Sequence, residues 1–203
     1  METREAEAGS ARERILTIAG DLFAEHGYDA VSIADLASAA GISTGLIYYH
    51  FKDKETLYGT VVREGVHLLE ETAVATLVGD RSPTDRLRLF VVSYMRLLEG
   101  KTSLMRLLIR SVSDVAGPAP RHALMRSAAI IDRLHAVIEE GVAAGEFRAV
   151  DTHLAATALF ALINTLITAR VLDTPLGGRS GGDIEQQASF MVELFLEGVG
   201  SCS

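Results

Sequence analysis

Cysteine, tryptophan and proline are almost absent: 203 residues contain one Cys, no Trp and four Pro. Cys202 has no partner for an internal disulfide, which points to a reducing compartment and excludes a disulfide-stapled scaffold. Period-two alternation is missing as well, while Ala (27) and Leu (25) supply 52 residues. These are strong helix formers, so the predicted fold class is all-α. Met1 to Arg14 is charged throughout and has no apolar core of the kind a signal peptide needs. The longest uncharged run, Leu154 to Ala169, is sixteen residues and contains Thr157, Asn164, Thr165 and Thr168. That is short and polar for a membrane span, and a buried helix of a cytoplasmic protein is expected.

Catalytic signatures are lacking too. The Gly-Gly pairs of 177–182 have no phosphate-loop Lys, and no Ser-His-Asp or Cys-His arrangement stands out. Two acid-x-x-His pairs, Glu64–His67 and Asp132–His135, resemble half of a di-iron carboxylate site. Such a site needs two further inward carboxylates. Glu64 and His67 share their face with Arg63, Glu70 and Glu71, a solvated stripe, and Asp132 stands where a Glu is usual. A helical metalloenzyme is therefore a distant reading. No enzyme activity, metal or cofactor is expected.

What is present is a series of helix start and stop signals. Ser10-Ala-Arg-Glu13 reads as a capping box opening a helix that Gly27 ends. Ser32 with Asp35 opens a short helix that stops at Gly41, Ser43 caps a third to about Phe51, and Asp53 caps a long fourth to about Leu77. Ser82-Pro83 begins a helix to Gly100, and another spans about 102–112. A connector at 117–120 precedes a helix to about Ala144. Gly145-Glu-Phe-Arg makes a turn, and Asp151 caps an apolar helix through Leu172. After a Gly-rich loop at 174–182, a ninth helix covers about 183–199.

Net charge is −8, and residues 1–60 hold five Lys/Arg against ten Asp/Glu. Between Asp35 and Asp53, however, there is no carboxylate at all. Within that window, two short helices joined at Gly41-Ile42-Ser43 form a helix-turn-helix pattern over 32–51. At 100° per residue, Ile47 and Phe51 share one face of the second helix, leaving Gly45, Tyr48 and Tyr49 opposite. Hydroxyls at Ser43 and Thr44 beside helix N-terminal amides suit phosphate oxygens and base edges. The tyrosines offer a hydroxyl for phosphate and a ring for a thymine methyl. Lys54 lies in the first turn of the next helix, where the macrodipole disfavours a cation, so a nearby anion is expected. A plain helical corner with surface tyrosines would show the same spacing.

The run Leu36-Ala-Ser-Ala-Ala-Gly-Ile-Ser-Thr-Gly-Leu-Ile-Tyr-Tyr-His-Phe-Lys-Asp-Lys-Glu-Thr-Leu57 resembles the signature of the TetR (tetracycline repressor) family, with Leu36 in place of the usual Ile. The resemblance is strong over about 9–69. It implies a DNA-binding domain there and a ligand-binding and dimerisation domain over 70–203. It implies that Ser32, Ser43, Thr44, Gly45, Tyr48, Tyr49, His50 and Lys54 match positions that contact DNA. Thr44 occupies a position often basic or polar in the family, and Thr there removes a possible charged contact. The implied function is a ligand-responsive regulator, most simply a repressor released from a palindromic double-stranded operator by a small-molecule inducer. The alternative is a helical small-molecule binder with a degenerate reading head.

For the remaining 134 residues, Leu87, Phe90, Val91, Tyr94 and Leu98 are expected to face inward, with Met95, Met105 and Met125 as adaptable fillers. Phe90, Tyr94, Arg106, Arg110, His135 and Asn164 are candidates for lining a ligand cavity, the polar ones because they sit in apolar surroundings and need partners. A homodimer is expected through 151–172, apolar almost all round, and 183–199. The second of these carries Ile184, Ala188, Met191 and Phe195 on one face, with Phe190 and Leu194 beside it. Two such helices per protomer suffice for a two-fold four-helix seam.

Overall fold

The computed structural model describes residues 2–113, 120–173 and 183–199, with side chains described for 11–110, 128–173 and 183–198. Among the described residues there are nine helices and no sheet: α1 (Glu2–His26), α2 (Ile33–Ala40), α3 (Thr44–His50), α4 (Lys54–Leu77), α5 (Pro83–Gly100), α6 (Thr102–Ser113), α7 (Pro120–Ala143), α8 (Thr152–Val171) and α9 (Ile184–Val199). The connector before Pro120, the loop 174–182 and Cys202 lie outside the described residues, as does the Met125 side chain.

The helix ends follow their caps. Ser43 accepts from the Leu46 amide (3.2 Å), Ser82 from Asp85 (3.1 Å) and Asp151 from Leu154 (2.9 Å). Gly27, Gly41 and Gly145 all have positive φ, which ends α1, α2 and the turn after α7. One start differs from expectation. α1 begins at Glu2, so Ser10 lies within a helix rather than capping it. The Ser-x-x-Glu pattern is the same in both settings, and the Ala- and Glu-rich stretch before it propagates the helix through Ser10.

Two compact units result: Met1–Val66 with Ser103–Leu124, and His67–Thr102 with Met125–Ser203. The first division falls within α4, between Val66 and His67, and α6 from Ser103 onward belongs with the first unit. That unit is centred on Ile15, Ala19, Phe23, Leu36, Ile47 and Leu57, all nearly inaccessible.

In the second unit α5 packs against α8 and α9. Leu87, Phe90, Val91, Tyr94, Met95 and Leu98 are buried, as their spacing predicts. Arg86, itself buried, donates to the Leu77 carbonyl (3.2 Å) and pairs with Glu140, tying three helices together. Ile184, Ala188 and Met191 on α9 are also buried in the protomer. The α9 face expected to contribute to the dimer seam is thus taken by α9's packing within its own chain, and Phe190 and Leu194 remain outside. α8 is buried mainly along one side, through Ala156, Leu159, Ile163 and Ile167, with Ala169 buried as well near its end.

Gly141 gives a test of this packing. A Cβ there would overlap the buried Phe147 ring, which folds back over α7 after the Gly145 turn. Alanine is otherwise favoured over glycine in a helix by about 1 kcal/mol. The overlap reverses that sign, because a buried aromatic ring has little room to yield. Gly141→Ala is expected to destabilise the fold by roughly 1–3 kcal/mol in urea unfolding; an increase in stability would show that the Phe147 ring is free to move.

Candidate nucleic-acid interface

The turn between α2 and α3 is built from local hydrogen bonds. Ser32 and Asp35 form a full capping box: the Asp35 amide donates to the Ser32 hydroxyl (3.1 Å), while the Ser32 amide (2.8 Å) and hydroxyl (2.6 Å) donate to the Asp35 carboxylate. The Ser32 hydroxyl and amide hold the Asp35 carboxyl below the ordinary carboxylate range. At the other end of α2, Gly41 (φ 64°) and Ile42 donate to Ser38 and Ala37 carbonyls, closing the helix and redirecting the chain. Arg14 on α1 donates to the Ala40 carbonyl (2.9 Å), so α2's last turn is held from outside as well.

Leu36, Ala37 and Ala40 bury α2. Ile47, fully buried, anchors α3, and Phe51 follows it into the core. The opposite face is open. Gly45 is exposed, Tyr48 is 55% exposed and Tyr49 is 77% exposed. Tyrosine rings normally bury much of their area, so two adjacent ones this open on a seven-residue helix are unusual. Ser43 uses its oxygen to cap α3, and its own O–H is left to donate outward. Thr44 is exposed beside it.

The remaining expected DNA residues are placed differently. The Ser32 proton is engaged by Asp35, so its hydroxyl serves the cap. His50 is half-buried and its ring meets Tyr49 (5.0 Å); its Nε2 is buried without a hydrogen-bond partner among the described residues. Among the described residues, no carboxylate pairs with Lys54. Its ammonium donates to the Tyr28 (2.8 Å) and Val31 (2.9 Å) carbonyls and sits 4.2 Å from the Tyr28 ring centroid. Two carbonyl dipoles and a π-face thus favour a cation in the first turn of α4. Burial and the carboxylates of Glu55, Asp53 and Asp29 push the Tyr28 phenol above its usual range, keeping the ring neutral.

Lys54 thus ties the α1–α2 connector to α4. Lys54→Met should lower the melting temperature and weaken DNA binding equally for all operator variants, without changing the salt slope. A slope reduced by about one unit at unchanged stability would restore the phosphate role.

The cavity candidates separate into two groups. Phe90 and Tyr94 are buried with ring centroids 5.1 Å apart, and the Tyr94 hydroxyl shares a hydrogen bond with Asn164 of α8. Burial pushes the Tyr94 phenol far above its usual range, so it remains neutral. Asn164 also donates to the Phe160 carbonyl (2.8 Å). His135 is half-buried, its ring 5.8 Å from that of His153, and its buried Nδ1 has no hydrogen-bond partner among the described residues. Arg106 and Arg110, in contrast, are exposed on α6 in the first unit. Arg110 donates to the Glu25 carbonyl at the end of α1 (3.1 Å). Glu64 pairs with Arg12 (3.1 Å), and His67 lies against Glu70 and Glu71 on an exposed stripe.

Comparison with known proteins places this architecture. Residues 15–61 match the model of bacterial regulatory proteins of the tetR family, and residues 80–168 match that of the tetracyclin repressor-like C-terminal domain. This chain belongs to the tetR family. The HTH-type transcriptional repressor KstR2 of Mycolicibacterium smegmatis is 33% identical over 90 residues, 44% of this chain and 44% of that protein. The chain spans less than half the length of the curated relatives it first matches. Among solved structures, a tetR-family regulatory protein from Rhodococcus RHA1 is 27% identical with a TM-score of 0.76, covering 95% of this chain and 98% of that one. A transcriptional regulator from Saccharomonospora viridis, solved in complex with choline, is 26% identical with a TM-score of 0.77, covering 96% and 100%.

Proposed function

We propose that this tetR-family chain is a soluble, cytoplasmic, homodimeric transcriptional repressor that leaves its operator when a small-molecule inducer binds. The observation that carries the reading is the open face of α3: Gly45, Tyr48 and Tyr49 exposed together, in a stretch without a carboxylate, on a helix anchored behind by Ile47 and Phe51. An α-helix presented this way fits the major groove. Ser43, Thr44 and the tyrosine hydroxyls supply phosphate and base-edge contacts. The acidic first sixty residues make non-specific attraction weak, so binding depends on a defined, palindromic site.

In the second unit, Phe90, Tyr94, Asn164 and His135 are the ligand-facing candidates. A neutral phenol and an amide beneath an apolar layer orient a largely apolar ligand rather than fix a strong charge. The inducer acts by binding better to a form of the dimer whose two reading heads are wrongly spaced for successive half-sites. The long α4 carries the chain from the head into the ligand unit.

Fluorescence anisotropy with labelled DNA from immediately upstream of the gene, titrated over salt concentration, tests the proposal. The expected result is saturable binding at two chains per site whose logarithm falls linearly with log salt, and which a scrambled duplex does not reproduce. Equal affinity for the scrambled duplex, or none for either, would favour a small-molecule binder with a degenerate head.

A further inference from the structure

α6 was expected to serve the ligand unit, yet from Ser103 onward it belongs to the same compact unit as the reading helices. Two contacts show how it is held there. Leu104 lies where a Cβ on Gly65 of α4 would be, so α6 seats against bare helix backbone. One and a half turns further on, Arg110 reaches the end of α1. Its Nη2 donates to the Glu25 carbonyl (3.1 Å), in the last turn, where carbonyls lack helical partners and the macrodipole favours a cation. Its Nη1 lies 3.1 Å from where a Cβ on Gly27 would stand, and Gly27 has φ +85°. A side chain at residue 27 is therefore opposed twice, by backbone conformation and by the guanidinium.

The connector that follows Gly27 is the one that Lys54 grips through the Tyr28 and Val31 carbonyls. Val31 immediately precedes Ser32, the N-cap of α2. The segment that sets where α2 begins is thus held at one end by a cation from α4, and at the other by a cation from α6. Phe23, Tyr28 and Tyr58 pack beneath it with ring centroids 5.0–6.1 Å apart.

We propose that Arg110 is a positioning residue for DNA binding: it latches α6 onto the end of α1, so the operator-reading unit comprises α1–α3, the start of α4 and α6. Because the guanidinium bonds a main-chain oxygen, the latch depends on where α6 lies and not on the side chain at residue 25. The inference rests on the DNA-reading function proposed above, but its first readout does not require DNA.

The test compares Arg110→Ala, Arg110→Lys and Arg106→Ala in the full-length chain. Arg106 is exposed on the same helix, so its removal controls for the loss of one positive charge. Hydrogen exchange is followed in peptides covering 23–31, which include the Gly27 amide bonded to the Phe23 carbonyl. Arg110→Ala should speed exchange there by roughly three- to fivefold, about what loss of one exposed charged hydrogen bond implies. Arg110→Lys should restore part of the protection, and Arg106→Ala should match wild type. Operator affinity should fall by a similar factor for Arg110→Ala alone, with the salt slope unchanged. Exchange in 23–31 that is the same for Arg110→Ala and Arg106→Ala would overturn the latch. Faster exchange in Arg110→Ala, in a protein whose wild type binds no operator, would support the latch and remove the DNA-reading proposal instead.

Discussion

Gly45→Val is expected to abolish operator binding while leaving the folded protein as it was. In the free protein nothing opposes the new side chain. A Cβ on Gly45 meets only Ser43 Oγ at 3.7 Å, an ordinary contact, and the buried Ile47 side of α3 is untouched. Glycine in a helix is worse than alanine by about 1 kcal/mol, so stability should change by less than that in either direction. With DNA bound, the outward face of α3 is where helix backbone and base edges must approach, and a branched side chain holds the helix away. The expected loss is at least about a hundredfold in affinity, or about 2.7 kcal/mol. Sizing, melting temperature and operator binding measured on one preparation check all three parts. Binding within about threefold of wild type would show that α3 does not enter the groove as described.

The second large effect concerns the dimer. Leu154, Leu162 and Leu172 of the α8 segment, with Phe190 and Leu194 of α9, are between 47% and 67% exposed. Five large apolar side chains left open on two helices are more than scattered surface residues, and a second copy of the same two helices would cover them. A four-helix seam of the standard size, about 1,600 Å², would remove most of this surface from water. Because Phe190 and Leu194 do not serve the protomer core, the double substitution Phe190→Glu with Leu194→Glu should leave the helix content intact. It should instead place four carboxylates at the two-fold axis. Light scattering is expected to show a mass near the 21.8 kDa of one chain in place of twice that value. Operator affinity should fall by at least about a hundredfold, because the two half-sites are no longer read by one body. A persistent dimer would place the seam elsewhere.

Helix boundaries were legible in the sequence because caps are local. Ser32, Ser43, Asp53, Ser82 and Asp151 each bond an amide three residues ahead, within reach of any sequence argument. The open face of α3 was legible for the same reason, since at 100° per residue Gly45 lies about 200° and Tyr48 about 100° around the helix from Ile47. Destinations of long cationic side chains were not. Lys54 ends on carbonyls 23 and 26 positions earlier, and Arg110 on one 85 positions earlier. Backbone carbonyls carry no residue-type signal, so a helix-dipole argument for Lys54 asked for negative charge without pointing to the Tyr28 and Val31 carbonyls that supply it in the free protein. The apolar face of α9 shows a third limit. Periodicity identifies a face that must be covered, but whether the covering helix is α5 of the same chain or a second copy depends on packing that a single periodic pattern does not contain.

The most direct test of α3 as the reading element is hydrogen exchange of the protein with and without the upstream duplex. Peptides spanning 43–50 should become protected on adding DNA, together with the capping box at 32–35. Peptides from α5, α8 and α9 should keep their free-state rates. Protection that appears elsewhere while 43–50 exchanges as in the free protein would contradict the account.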